Sequence, residues 1–212
     1  MPEPRHRFQE DLAGLERQAL DGLDLVIRQL DRSLESISYQ DVELAGMVVA
    51  DDDQIDGRYL EVHQALITLL ATQAPVATDL RLISALLHVL KNVERMGDQC
   101  VNICKLIPLT GNEPPADAEM VRRILSMGKQ TRALISQSKH SFEERNVDMA
   151  RDLVRQDDAI DHLNRECFGL ALEIGDDPDK REWAMTMLLA ARAIERIADN
   201  AVDIGIDRKS VV

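Results

Sequence analysis

With 212 residues, 45% of them apolar but only 3% aromatic, the chain carries enough Leu, Ala, Ile, Val and Met for one or two compact cores and suits packed helices better than sheets. A net charge of -13 excludes nucleic acid and anionic membrane as natural partners and favours cations and basic protein surfaces. Cys100, Cys104 and Cys167 form an odd set with no disulfide framework, and no apolar run reaches membrane-spanning length, so the chain reads as reduced, cytoplasmic and without membrane insertion.

The first residues lead into an amphipathic segment, not an apolar signal core. Phe8, Leu12, Leu15, Ala19, Leu23, Val26, Leu30, Leu34 and Ile37 step by threes and fours, which predicts one long helix with a single apolar stripe. Asp41 is placed to cap a second helix running through Val42, Ala45, Val48, Val49, Ile55, Leu60, Leu66, Leu69 and Leu70. That helix carries Asp51, Asp52, Asp53 and Asp56, and it tolerates Gly57 at a cost of about 1 kcal/mol. Pro75 separates it from a third helix over 77–107, with Leu80, Ile83, Leu87, Leu90 and Val93 as its buried stripe. Pro108 stops that helix, and 109–116 is the one clear linker. The pattern then restarts: a fourth helix over 116–142, a fifth opened by Asn146, a turn at Gly175-Asp176-Asp177-Pro178, and a sixth running to near Asp207. No segment has the period-two alternation of a strand, so the fold class is all-α, with residues 1–110 as one three-helix bundle and 116–212 as a second.

The two halves are copies. A shift of 105 residues lays Val42, Ala45, Asp52, Ile55 and Asp56 on Val147, Ala150, Asp157, Ile160 and Asp161. A shift of 101 lays Glu94, Arg95, Asp98, Val101 and Ile103 on Glu195, Arg196, Asp199, Val202 and Ile204, and Asn102 on Asp203. Each half therefore has acid pairs at i, i+4 on two helices, although like charges at that spacing destabilise a helix by a few tenths of a kcal/mol. No Arg or Lys lies between the members of either pair on the same face, which points to a bound cation as the compensating charge.

At these residues the chain resembles the PhoU family of phosphate-signalling proteins. The resemblance rests on Asp52-Asp53-Gln54-Ile55-Asp56, Ala77-Thr78-Asp79-Leu80-Arg81, and Glu94-Arg95-Met96-Gly97-Asp98 with Val101-Asn102-Ile103, together with the second copies Asp157-Asp158-Ala159-Ile160-Asp161 and Glu195-Arg196-Ile197-Ala198-Asp199. It implies a duplicated three-helix bundle that binds metal, iron or zinc in multinuclear clusters, through the acid-x-x-x-Asp motifs. It implies a cytoplasmic, homodimeric negative regulator of phosphate uptake and phosphate-starvation transcription, coupling the ATPase subunit of a phosphate ABC transporter to a sensor histidine kinase. Ala198 in place of Gly97 reads as a minor departure, and the absence of an Asp-Leu-Arg counterpart after Pro178 reads as inequality of the halves.

If the second and third helices of each half are neighbours, Asp52, Asp56, Glu94 and Asp98 converge on one patch with Asn102 at its edge. Asp157, Asp161, Glu195 and Asp199 converge on another, with Asp203 beside them. Such oxygen donors by themselves suit magnesium, manganese or calcium; iron is the resemblance's contribution. His63 has Phe168 as its counterpart and is read outside the site; Cys100 and Cys104 are read as buried thiols, and Met120, Met127, Met185 and Met187 as core. Asp79 is read as favouring the helix N-terminus. No nucleophile–base pair or Gly-rich phosphate loop appears, so the chain is not read as an enzyme, while a metal-storage bundle, a metal-dependent hydrolase or oxidase, and an inert helical adaptor stay open as alternatives.

Overall fold

The computed structural model describes residues 4–73, 75–111, 117–174, 176–178 and 180–209. Among them are seven α-helices, one short 3-10 turn and no strand: α1 (Pro4–Tyr39), α2 (Val42–Ala50), α3 (Asp53–Thr72), α4 (Ala77–Leu106), the 3-10 turn Ile107–Thr110, α5 (Ala118–Glu143), α6 (Val147–Ile174) and α7 (Arg181–Lys209). Residues 112–116 of the expected linker, and Gly175 of the expected turn, lie outside the described residues.

The long apolar stripe of α1 is buried as its spacing predicts, with Leu15 only partly covered. α1, the α2–α3 pair and α4 pack together as one bundle, and α5, α6 and α7 as the other. The bundles meet where α1 lies on α5 and α4 lies on α7, so one apolar core runs through both halves. Residues 99–106 of α4 lie beside 189–196 of α7, and 87–95 beside 203–206, so these two helices run antiparallel.

The duplication is visible at the first turn of each half. Gln40 and its counterpart Arg145 both take the left-handed backbone (φ 52° and 55°), and the next amide in each case donates to a serine carbonyl, Ser36 or Ser141, at 3.0 Å. Asp41 then caps α2 by accepting from the Leu44 amide at 2.9 Å, and Asn146 caps α6 by accepting from Asp148 and Met149.

The expected second helix is broken. It turns at Asp51-Asp52 into α2 and α3, whereas its copy α6 is continuous. The cause is a side chain inserted from α1. Gln29, 5% exposed, donates through Nε2 to the Val48 carbonyl (3.4 Å) and to Asp52 Oδ1 (3.0 Å), while Arg32 pairs with Asp51. A shift of 105 turns Gln29 into Leu134, which offers no donor, and the helix runs on. Beyond the break the apolar phase is rotated: α3 buries Ile55, Val62, Leu66 and Leu69 and leaves Leu60 exposed. Leu80, expected in the buried stripe of α4, stands exposed in that helix's first turn, where Asp79 and not Leu80 faces α1. Met185 is likewise exposed, although Met120, Met127 and Met187 are core.

Candidate metal centres

In the first half the four predicted acids come from three elements: Asp52 from the α2–α3 turn, Asp56 from α3, and Glu94 and Asp98 from α4. Asp52 is held by Gln29 and lies directly over Gly97, where an added Cβ would stand 3.1 Å from Asp52 Oδ1 and 3.0 Å from Ile55 Cδ1. Gly97 thus lets the turn close onto α4, and the exchange for Ala198 in the second copy is more than a minor departure. The acids feel one another. Asp56 is held above the usual carboxylate range by burial, then by Asp52 and Glu94; Asp98 is raised by burial, then by Glu94, Asp52 and Asp56.

The second patch joins Asp157 and Asp161 of α6 to Glu195 and Asp199 of α7 and is more strongly strained electrostatically. Asp157 is raised to about 6 by burial and by Asp199, Asp161, Glu195 and Asp158. Glu195, 6% exposed, is raised by burial and Asp199, and Asp199 by burial and Asp161, with Asp203 adding to it. Asp157 Oδ1 and Glu195 Oε2 are buried without a hydrogen-bond partner among the described residues. The difference from the first patch again traces to one position: Gln29 supplies Asp52 with a donor, and Leu134 supplies Asp157 with none.

The compensating charge expected only from a bound ion is partly built in. Lys91 donates to Glu94 at 2.7 Å, and Arg192, its counterpart 101 residues on, pairs with Glu195. Both cations sit three residues before the glutamate they meet, one turn away rather than between the paired acids. That i, i+3 spacing was legible in the chain. Gln29 was not, because a lone amide on a long apolar helix carries no signal until its neighbour is known.

Oxygen donors, mutual repulsion and two orphaned carboxylate atoms in the second patch fit a hard divalent cation. Among the described residues, no three His, Cys, Asp or Glu side chains already converge on one point, so the carboxylates would have to turn inward to share an ion. Asn102 lines a cleft between α4 and α7 with Arg192 and Arg196, and Asp203 lines the companion cleft with Lys91 and Arg95. The softer ligands are elsewhere. Cys100 and Cys104 are buried against Ser33 and Ser36, burial pushing both thiols up; Cys167 packs on Met127; and His63 stacks on Tyr59. Asp79 accepts from the Val76 amide at the α4 N-terminus and from Gln9 of α1, which is the bland role expected of it.

Comparison with known proteins gives one family. Residues 21–107 and 124–207 each match the PhoU domain model. The chain is 31% identical over 202 residues to the phosphate-specific transport system accessory protein PhoU homolog of Clostridium acetobutylicum, covering 94% of this chain and 91% of that protein. It is 31% identical over 191 residues to the homolog of Aquifex aeolicus, covering 88% and 84%. The crystal structure of PhoU from Pseudomonas aeruginosa has the same fold, with a TM-score of 0.88 at 23% identity over 96% of this chain and 98% of that one. The phosphate transport system regulatory protein PhoU from Streptococcus pneumoniae matches with a TM-score of 0.88 at 21% identity and 96% coverage of both chains.

Proposed function

This chain belongs to the PhoU family, and we propose that it serves as an accessory protein of a phosphate transport system whose signalling state is set at carboxylate-rich metal sites. The observation that carries the reading is the twofold arrangement of the acids: mutually repelling carboxylates assembled from adjacent helices in each half, with orphaned oxygens in the second. Asp52, Asp56, Glu94 and Asp98 would hold one ion or cluster, and Asp157, Asp161, Glu195 and Asp199 the other, with Asn102 and Asp203 at the edges. Bound cations would supply positive charge that ties the two helices of each patch together. The donor set favours magnesium or manganese, and iron also takes carboxylates; zinc fits less well, since its usual Cys and His ligands are absent from both patches.

The role is regulatory rather than catalytic. The acidic surface suits basic patches on the transporter's ATPase subunit and on a sensor histidine kinase, and rim charges of that kind act mainly on association rate and salt dependence. Coupling the two partners would let the protein repress phosphate-starvation transcription while phosphate is being imported. No helix among the described residues is long and apolar enough to cross a membrane, so contact with a transporter would be peripheral.

The test is a set of melting curves, chelated and metal-loaded, for the wild type and Glu94→Gln. In chelator the substitution loses the ion pair to Lys91, worth about 0–1 kcal/mol, and relieves repulsion of a few tenths, so the variant should match the wild type closely. On metal addition the wild type should gain stability by mass action, about 2.7 kcal/mol at a hundredfold excess over Kd, and the variant much less. Equal metal responses would remove Glu94 from the site. Reporter expression under high phosphate in a deletion strain tests the regulatory half: expression that stays repressed would count against it.

A further inference from the structure

The duplication builds a second pair of features that the carboxylate patches do not use. Between antiparallel α4 and α7 lie two clefts, of about 400 and about 420 Å³, related by the same 101-residue shift: Lys91 and Arg95 line one, Arg192 and Arg196 the other. In a chain of net charge -13, cations recur at matching positions of both. Two of the differences between the members decide their charge: Lys105 stands in one cleft where Ile206 stands in the other, and Asn102 where Asp203 stands. Asp203 puts a carboxylate into the cleft of Lys91 and Arg95; its counterpart Asn102 puts a neutral amide into the other. The second cleft is therefore lined by Lys105, Arg192 and Arg196 with the amides of Gln99 and Asn102, and by no carboxylate.

We propose that the cleft formed by Lys105, Arg192 and Arg196 binds a small multivalent oxyanion of the phosphate class. Guanidinium forks and an ammonium give the donors such an anion needs, and two amides add orientable ones. Among the described residues neither Lys105 nor Arg196 is in a close ion pair; Arg196 acts on Asp199 only at longer range, and its N–H donors are left for a ligand. Arg192 meets Glu195 through one nitrogen and keeps further N–H groups for a ligand. A volume of about 400 Å³ suits a small ion or a phosphoryl group rather than a macromolecular surface. Lys105 alone has a simpler explanation, the carbonyl end of α4, but that does not account for two arginines on the neighbouring antiparallel helix. The cleft adjoins the second carboxylate patch through the Arg192–Glu195 pair, and the binding proposed needs no ion in either patch.

The test titrates the full chain with inorganic phosphate in chelator at low ionic strength, by calorimetry, with chloride at matched ionic strength as the reference. The expected result is saturable binding at one site that chloride does not reproduce. Arg196→Gln and Lys105→Gln should each weaken it about tenfold or more, the scale of a lost charge-assisted hydrogen bond. Asn102→Asp, which copies the companion cleft, should weaken it further, and Asp203→Asn should add a second, weaker site. All four positions are exposed, so the variants should fold, and unchanged melting curves would show it. Tighter binding of ADP than of phosphate would support the cleft and assign the anion to a nucleotide; binding of phosphate alone would assign it to the free ion. Phosphate binding no stronger than chloride, or binding undiminished in Arg196→Gln and Asn102→Asp, overturns the proposal.

Discussion

Asp157 is the residue at which the molecule is most exposed to pH. Its carboxyl, raised to about 6 by burial and four neighbouring acids, binds a proton more tightly in the folded chain than in the unfolded one, whose value is near 3.8. Protonation therefore stabilises the fold. That contribution is full below the unfolded value and is lost as pH rises from about 4 through 6. This carboxyl should thus make the metal-free protein more stable at pH 5 than at pH 7, by on the order of 1 kcal/mol at most after allowing for partial solvent exposure. Asp157→Asn should raise the melting temperature at pH 7 and flatten this profile; thermal melts in chelator across that range check both, and a profile as steep in the variant would exclude Asp157 as its source. Gln29 gives the converse case. Gln29→Leu should leave the Asp52 carboxylate without its donor, costing about 1–3 kcal/mol in urea unfolding.

Elements respond to such single residues. The α2–α3 break exists because Gln29 takes the Val48 carbonyl out of the helical ladder, so Gln29→Leu should also add helical amide protection at Asp52 and Asp53 in hydrogen exchange. Unchanged protection would assign the break to the aspartates alone. Close approach of helices is likewise set by one position. On α5, a Cβ added at Gly128 would stand 2.3 Å from Leu34 Cδ1 and 2.9 Å from Leu34 Cγ, so Leu34 of α1 must leave its place. Overpacking of that kind costs typically 1–3 kcal/mol, against about 1 kcal/mol gained from better helix propensity. Gly128→Ala should therefore be net destabilising by about 1 kcal/mol in denaturant titration.

At the scale of the molecule, the two halves are fastened along α1–α5 and α4–α7. Lys139 of α5, largely covered, reaches Asp21 and Asp24 of α1 and Glu143 of its own helix, while Arg132 meets Asp31. Burial works to lower the Lys139 pKa, but Asp24, Glu143 and Asp21 outweigh it and the net direction is up, so this tie holds throughout the neutral range and fails only in strong alkali. Because the apolar core is continuous across the interface, the chain should unfold in one calorimetric transition with equal van't Hoff and calorimetric enthalpies. Two resolved transitions would show that the ion pairs, not the core, join the halves.

The sequence by itself determined most of the helices, because period and caps are local: the α1 stripe and the Asp41 and Asn146 starts are where spacing alone puts them. It also determined the duplication, since matched positions survive without any knowledge of packing. Only the tertiary structure decided what depends on a neighbour distant in the chain. Gln29 across from Asp52, against Leu134 in the copy, breaks one helix and orphans an acid in the other half. Gly97 admits the aspartate turn, and the antiparallel meeting of α4 with α7 gathers Lys105, Arg192 and Arg196 into one cleft. Each joins residues that no periodicity connects, because side-chain partners across helices are fixed by the packing angle and register of whole elements.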